Sequence, residues 1–278
     1  MNMFPGVSVV IPVFNRKTCL KKALISTLEQ SKHVSEIIVV DDGSTDGSSD
    51  MLKQEFPQIK LVVNQNNKGV SAARNAGIVQ SRSEWIAFLD SDDEWLPSKI
   101  EQQMDYLASN PEMKVCHTEE VWVRNGRRVN QMNKHQKSGG WIYQQCLPQC
   151  AMSPSSILIH RSVFDDVGMF DESLPACEDY DLWLRICSRY PVLYKDEPLI
   201  VKYGGHDDQL SRKYWGMDRF RIKALTKILD ENILGDEDKL ATRSMLKHKI
   251  DIFNKGAAKR GNHSEIERLL QLKEAYCQ

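Results

Sequence analysis

Val7-Ser8-Val9-Val10-Ile11-Pro12-Val13-Phe14 is a nearly unbroken apolar run, the pattern of a strand buried on both faces of a parallel sheet. Leu20, Leu24 and Leu28 then recur at helical spacing, and Ile37-Ile38-Val39-Val40 is a second β-branched run. The chain therefore opens as a strand, helix, strand unit. A turn-rich stretch, Asp41-Asp42-Gly43-Ser44-Thr45-Asp46-Gly47, leads into a helical segment with Met51, Leu52 and Phe56. A third strand is expected over 59–63, a small-residue helix over 70–79, and a fourth strand at Trp85-Ile86-Ala87-Phe88-Leu89. This alternation predicts an α/β fold, a Rossmann-like, mostly parallel sheet flanked by helices. Ligands of such sheets bind outside the carboxyl ends of the strands, which is where the polar motifs fall.

Beyond Pro97 the pattern predicts a helix to Leu107, a strand over 115–123, an Asn125-Gly126 turn and a basic polar run over 127–137. A strand over 156–159, a helical turn over 161–167 and a helix over 180–189 follow. From Met217 apolar residues return at helical spacing, with breaks at Gly235 and Gly261, predicting a tail of two to four helices. The expected division is a main α/β domain over 1–215 and a helical extension over 216–278.

Composition narrows the class. The 278 residues are 41% apolar and 27% charged with a net charge of −1, which suits a globular protein and gives no overall attraction to nucleic acid. No run of about eighteen apolar residues is present, so no spanning helix is expected; peripheral membrane contact stays open. Without a signal-like N-terminus, and with seven cysteines in no zinc-ribbon spacing, the chain reads as cytoplasmic with reduced thiols.

Asp90-x-Asp92 directly follows an apolar strand, and two oxygen ligands at that spacing can hold Mg²⁺ or Mn²⁺ while leaving room for substrate phosphates. Alone, these residues read more simply as a solvated acidic turn. Asp41-Asp42 could accept hydrogen bonds from a base or ribose, or could cap a turn. Asn67-Lys68-Gly69 and Arg74 lie near the start of a helix, whose N-terminus favours phosphate, although surface charge explains them equally well.

Taken together the motifs resemble family 2 glycosyltransferases with the GT-A fold, over roughly residues 7–212. The resemblance is carried by the first strand through Asn15, by Val40-Asp41-Asp42-Gly43-Ser44-Thr45-Asp46-Gly47, by Asn67-Lys68-Gly69-x-Ser71-x-Ala73-Arg74-Asn75-x-Gly77 and by Phe88-Leu89-Asp90-Ser91-Asp92-Asp93. It implies that Pro12 and Phe14 border the nucleotide base and that Asp42, less surely Asp41, binds it. By the same resemblance Lys68 or Arg74 lies near the base or diphosphate, Asp90 faces the ribose and donor sugar, and Asp92 binds the metal. Cys177-Glu178-Asp179-Tyr180-Asp181-Leu182-Trp183 resembles the family's late acidic motif, with Asp179 the implied general base. The stretch around Tyr203-Gly204-Gly205-His206 resembles its histidine loop, which makes His206 a candidate metal ligand and Arg212 a candidate phosphate contact.

The activity so implied is inverting transfer of a sugar from a nucleotide-diphosphate donor, a UDP-sugar first, to an acceptor hydroxyl on a glycan, glycolipid or small molecule. Mn²⁺ or Mg²⁺ would be the cofactor, with peripheral contact at the inner membrane face and a homodimer both compatible. A catalytically silent nucleotide-sugar-binding scaffold is the alternative. A sugar nucleotidylyltransferase fits less well, because Phe14-Asn15-Arg16-Lys17 stands where that class carries a glycine-rich loop. Trp122, Arg124, Trp141 and Tyr143 could contact an acceptor, with core or interface packing favoured for the aromatics.

Overall fold

A computed structural model describes residues 6–132, 135–205 and 214–277. The first half follows the hydrophobic pattern: β1 (Val7–Val13), α1 (Lys17–Leu28), β2 (Glu36–Asp41), α2 (Ser48–Glu55), β3 (Lys60–Val63), α3 (Val70–Gln80) and β4 (Trp85–Phe88). Then come β5 (Glu94–Trp95), α4 (Lys99–Ala108), β6 (Val115–Arg124), β7 (Arg127–Val129), α5 (Tyr143–Cys146), β8 (Leu158–His160), α6 (Ser162–Val167), α7 (Glu178–Cys187) and β9 (Leu193–Gly204). Helices α8 (Asp218–Asp230), α9 (Asp236–Ala258) and α10 (His263–Tyr276) close the chain, with their breaks at Gly235 and Gly261 as expected.

Among the described residues nine strands form one sheet in the order β3-β2-β1-β4-β8-β6-β9-β5, with β7 hairpinned onto β6. The strands β3, β2, β1 and β4 are parallel. Past β4 the sheet is mixed: β8 runs antiparallel to both β4 and β6, while β9 runs parallel to β6. Consecutive βαβ crossovers enforce the parallel half, whereas β8 returns after the long excursion through α4, β6 and α5 and is free of that constraint.

Two residues shape the central strand. Val10 accepts from Leu89 N, so Pro12, two residues on, faces the same neighbour beyond the registered pairing of β1 with β4, which ends at Phe88. Its missing N–H thus costs no ladder bond. On the sheet's face, Gly77 of α3 lies so close to β1 that a Cβ there would overlap Val10 Cγ1 and lie 3.0 Å from Cγ2. The small residues of α3 are what let the helix reach this depth.

Two elements escape the periodicity. Strand β9 carries the exposed run Asp196-Glu197-Pro198, which interrupts its apolar alternation, and β5 spans only Glu94–Trp95. The C-terminal helices share the core of the fold: Leu225, Ile228, Leu246, Ile250 and Phe253 join Val10, Phe88 and Trp183 in one continuous buried cluster. No helix among the described residues is long and apolar enough to cross a membrane. All seven cysteines are free thiols.

Candidate active site

The strand order reverses between β1 and β4, so the crevice beyond their carboxyl ends is the expected ligand position. Asn15, with φ +51°, turns the chain out of β1. Its N–H donates to Ser44 Oγ at 2.9 Å and its Oδ1 accepts from Thr45 N at 2.7 Å, which stitches the loops after β1 and β2 together. Phe14 stands 44% exposed at this edge, while Pro12 is buried in the strand.

The two aspartates ending β2 do different work. Asp41 is buried and accepts from Ser44 N at 2.8 Å and from Ser49 Oγ, so it caps the turn. Asp42 accepts from Asn64 Nδ2 at 2.8 Å, from Lys68 N at 3.0 Å and from Gly69 N at 2.8 Å. It holds the loop that launches α3, each carboxylate oxygen accepting two hydrogen bonds. The Lys68 side chain is exposed beside it.

Beyond β4, Asp92 pairs with Arg16 at 2.5 Å, so an ion pair spans the switch point itself. Asp90 pairs with Arg74 Nη2 at 2.7 Å, and Nη1 of the same guanidinium donates to Glu178 at 2.7 Å. Arg74 is 3% exposed and both ends of its fork face carboxylates, so it is a buried bridge between Asp90 and Glu178. Asp93 is also buried, accepting from Ser155 Oγ at 2.6 Å and Tyr203 N at 3.1 Å. Burial pushes its carboxyl well above the usual range, and the charges of Asp90 and Asp92 add to that against the pull of Lys202.

At the start of α7, Cys177 adopts φ +62° and delivers Glu178 and Asp179 in the first turn. Burial and the adjacent Asp179 raise Glu178 to about 7 despite Arg74. Asp179 Oδ1 accepts from Tyr180 N at 2.7 Å and Oδ2 from the Cys150 thiol at 3.0 Å. Asp179 also lines a cavity of about 210 Å³, whose other walls include Glu120, Trp122, Lys137 and Lys202. Lys137 pairs with Glu120 at 2.7 Å, and Trp122 Nε1 donates to Glu120 at 2.6 Å. Burial opposes ionisation of Glu120, but Lys137 and Lys202 outweigh it and hold the carboxyl at about 2.

The structure thus ties Asp90 through Arg74 to Glu178, the neighbour of Asp179, and pairs Asp92 with Arg16. Glu120 lay in the strand expected over 115–123, Lys137 at the end of the basic run over 127–137, and Lys202 in a segment with no element assigned. Among the aromatics, Tyr143 is core, its hydroxyl 2.7 Å from Thr242 Oγ1, and Trp141 is 69% exposed. His206 and Arg212 lie outside the described residues.

The profile of glycosyl transferase family 2 matches residues 8–168, from β1 through the end of α6. The chain belongs to that family. Relatives include an uncharacterized glycosyltransferase of Rickettsia bellii (strain RML369-C), 30% identical over 76% of this chain, in which the chain spans only 31% of the relative's length. The Escherichia coli UDP-Glc:α-D-GlcNAc-diphosphoundecaprenol β-1,3-glucosyltransferase WfgD is 29% identical over 65% of this chain and 69% of its own. Among solved structures, S. aureus TarS 1-349 in complex with UDP-GlcNAc superposes with a TM-score of 0.71 over 87% of this chain and 71% of that one. At 20% identity this likeness establishes the GT-A fold and no more.

Proposed function

We propose that this family 2 domain is a glycosyltransferase that moves a sugar from a nucleotide-diphosphate donor, a UDP-sugar first, to an acceptor hydroxyl with inversion. The observation that carries the reading is Asp179, at a cavity wall and one residue from Glu178, which Arg74 ties to the strand-end carboxylate Asp90. A base and a donor-side acid are thereby held by one buried guanidinium. WfgD, whose name gives a UDP-sugar donor and a lipid-linked GlcNAc acceptor, supports a glycan or glycolipid acceptor here.

In this reading Phe14 and Pro12 flank the nucleotide base, Asp42 and Lys68 meet base or diphosphate, and Asp90 faces the ribose and donor sugar. Asp179 takes the proton of the acceptor hydroxyl as that oxygen attacks the anomeric carbon opposite the departing diphosphate. The carboxylates of Asp90 and Asp92 fit a hard divalent cation: they are oxygen donors one residue apart, and Asp92, 18% exposed at its side chain, already faces a cation in Arg16. No group of three or more His, Cys, Asp or Glu side chains suited to a metal occurs among the described residues. Asp92, with His206, would hold Mn²⁺ or Mg²⁺, which supplies Lewis-acid neutralisation of the leaving diphosphate when bound. Residues 1–215 form the transferase domain in this proposal and 216–278 a helical extension docked on its core.

The test is thermal stabilisation and donor hydrolysis with UDP-, GDP- and dTDP-sugars, each with Mn²⁺, Mg²⁺ or chelator. Stabilisation by one nucleotide with slow release of its diphosphate is expected. Indifference to all donors would replace transfer with a silent scaffold.

A further inference from the structure

We infer that the cavity beside Asp179 is the acceptor subsite and that it takes one neutral monosaccharide ring rather than a phosphorylated group. The inference rests on the transfer reading above and names what that reaction acts on.

Position separates this cavity from the donor. Asp179 lines it, whereas Phe14, Asp42, Asp90 and Asp92, at the strand ends, do not. Lys202 lines the cavity as well, and the fields of Glu120, Asp93 and Asp90 outweigh the burial that opposes its charge.

Size and charge select the occupant. About 210 Å³ is below the usual range of roughly 300–1,000 Å³ for sites of drug-sized ligands and suits a single sugar ring. The ionisable walls balance: Lys137 and Lys202 against Glu120 and Asp179. Lys137 is already paired with Glu120 at 2.7 Å, so a phosphate would compete with that carboxylate for its cation and would face Asp179 as well.

Hydroxyl chemistry fits better. His117 lines the cavity and is 1% exposed; its Nε2 sits 2.9 Å from the Ser138 carbonyl, which can only accept, so Nε2 carries the proton. Nδ1 is then an acceptor, and it is buried with no hydrogen-bond partner among the described residues. A sugar hydroxyl donating to it would complete the set, and the Trp122 ring offers an apolar face for the C–H side of the pyranose.

The backbone is built for this arrangement. Simple alternation along β6 would send His117 to the face opposite Glu120 and Trp122. The register of β6 against β9 shifts between Thr118 and Glu119 and again between Glu119 and Glu120, and all three side chains reach one cavity. Trp122 is also the registered neighbour of Lys202 on the parallel β9, which places the two side chains on one face.

Saturation-transfer NMR tests the inference, with methyl glycosides of glucose, galactose and N-acetylglucosamine against glycerol 3-phosphate and inorganic phosphate. Wild type, Trp122→Ala and Glu120→Gln are compared, with thermal unfolding and donor hydrolysis measured on the same preparations. A neutral glycoside should bind in preference to both phosphates, and Trp122→Ala should weaken it about tenfold or more while the variant still unfolds cooperatively on heating. Glu120→Gln, where it folds, should weaken it likewise. Preference for a phosphorylated probe, or glycoside binding unchanged in Trp122→Ala, would overturn the inference. Glycoside binding without any donor hydrolysis would instead remove the transfer reading, and with it the assignment of this sugar as acceptor.

Discussion

Arg74 Nη1 donates to Glu178 Oε1 at 2.7 Å across 104 residues of sequence, and the pair is buried on both sides, at 4% and 7% side-chain exposure. Because Nη2 of Arg74 also holds Asp90, this one contact fixes the start of α7, and hence Asp179, relative to the end of β4. Removing the guanidinium would leave a buried carboxylate without its partner, a change that costs about 3–5 kcal/mol. Arg74→Met should lower the unfolding free energy by that order in a urea titration, and Glu178→Gln should lower it less.

The same pair gives stability a pH dependence. Glu178 is raised to about 7 in the folded chain from an ordinary 4.5, so between those values the folded state keeps a proton that the unfolded state has released. Its contribution is then fully present below about 4.5 and is lost as pH rises to about 7. Unfolding midpoints measured from pH 5 to 8 should carry this falling component in wild type and lose it in Glu178→Gln. An identical slope in both proteins would reject the assignment.

Asp179→Asn keeps the shape of the proposed base and removes its basicity. Turnover should fall by about 10²–10⁴-fold, the usual worth of general-base catalysis, while donor affinity measured by calorimetry stays near wild type. Turnover close to wild type would move the base elsewhere in the crevice.

Asp92→Asn separates metal binding from folding. The substitution weakens one partly exposed ion pair to Arg16, so its melting temperature without ligand should change little. The stabilisation by UDP with Mn²⁺, which the proposal expects of wild type and chelator should abolish, should be absent from this variant at every metal concentration.

Gly77→Ala probes the approach of α3 to the sheet. The new methyl would collide with Val10 Cγ1 in the centre of β1, and relief requires moving a buried side chain or the helix. A loss of about 1–3 kcal/mol is expected by chemical denaturation, the typical cost of overpacking. Val10→Ala in the same background should recover part of it, which a merely local helix effect would not allow.

Much of the first half was legible because its information is local. The apolar runs of β1, β2 and β4 are buried on both faces, so periodicity reports them directly, and Asn125-Gly126 takes the two positive φ values its turn requires. Acidic residues at strand ends were equally visible in Asp42, Asp90 and Asp92. Strand β9 was not, because Asp196-Glu197-Pro198 breaks its alternation and its pairing with β6 is irregular. Asp41 and Asp42, adjacent and alike in type, were separable only by the partners that meet them: Ser44 and Ser49 for one, the 64–69 loop for the other.

The amino-acid sequence by itself determined the family, the parallel half of the sheet and the identity of the strand-end carboxylates, since each depends on side-chain type and near-neighbour spacing. Tertiary structure decided which charges meet. Arg16 with Asp92, Arg74 with Asp90 and Glu178, and Lys137 with Glu120 join segments 76, 16, 104 and 17 positions apart, and Arg74 became a buried bridge rather than a surface cation. Such pairings follow from how strands stack into one sheet and how much water that stacking excludes, and both are properties of the packed chain.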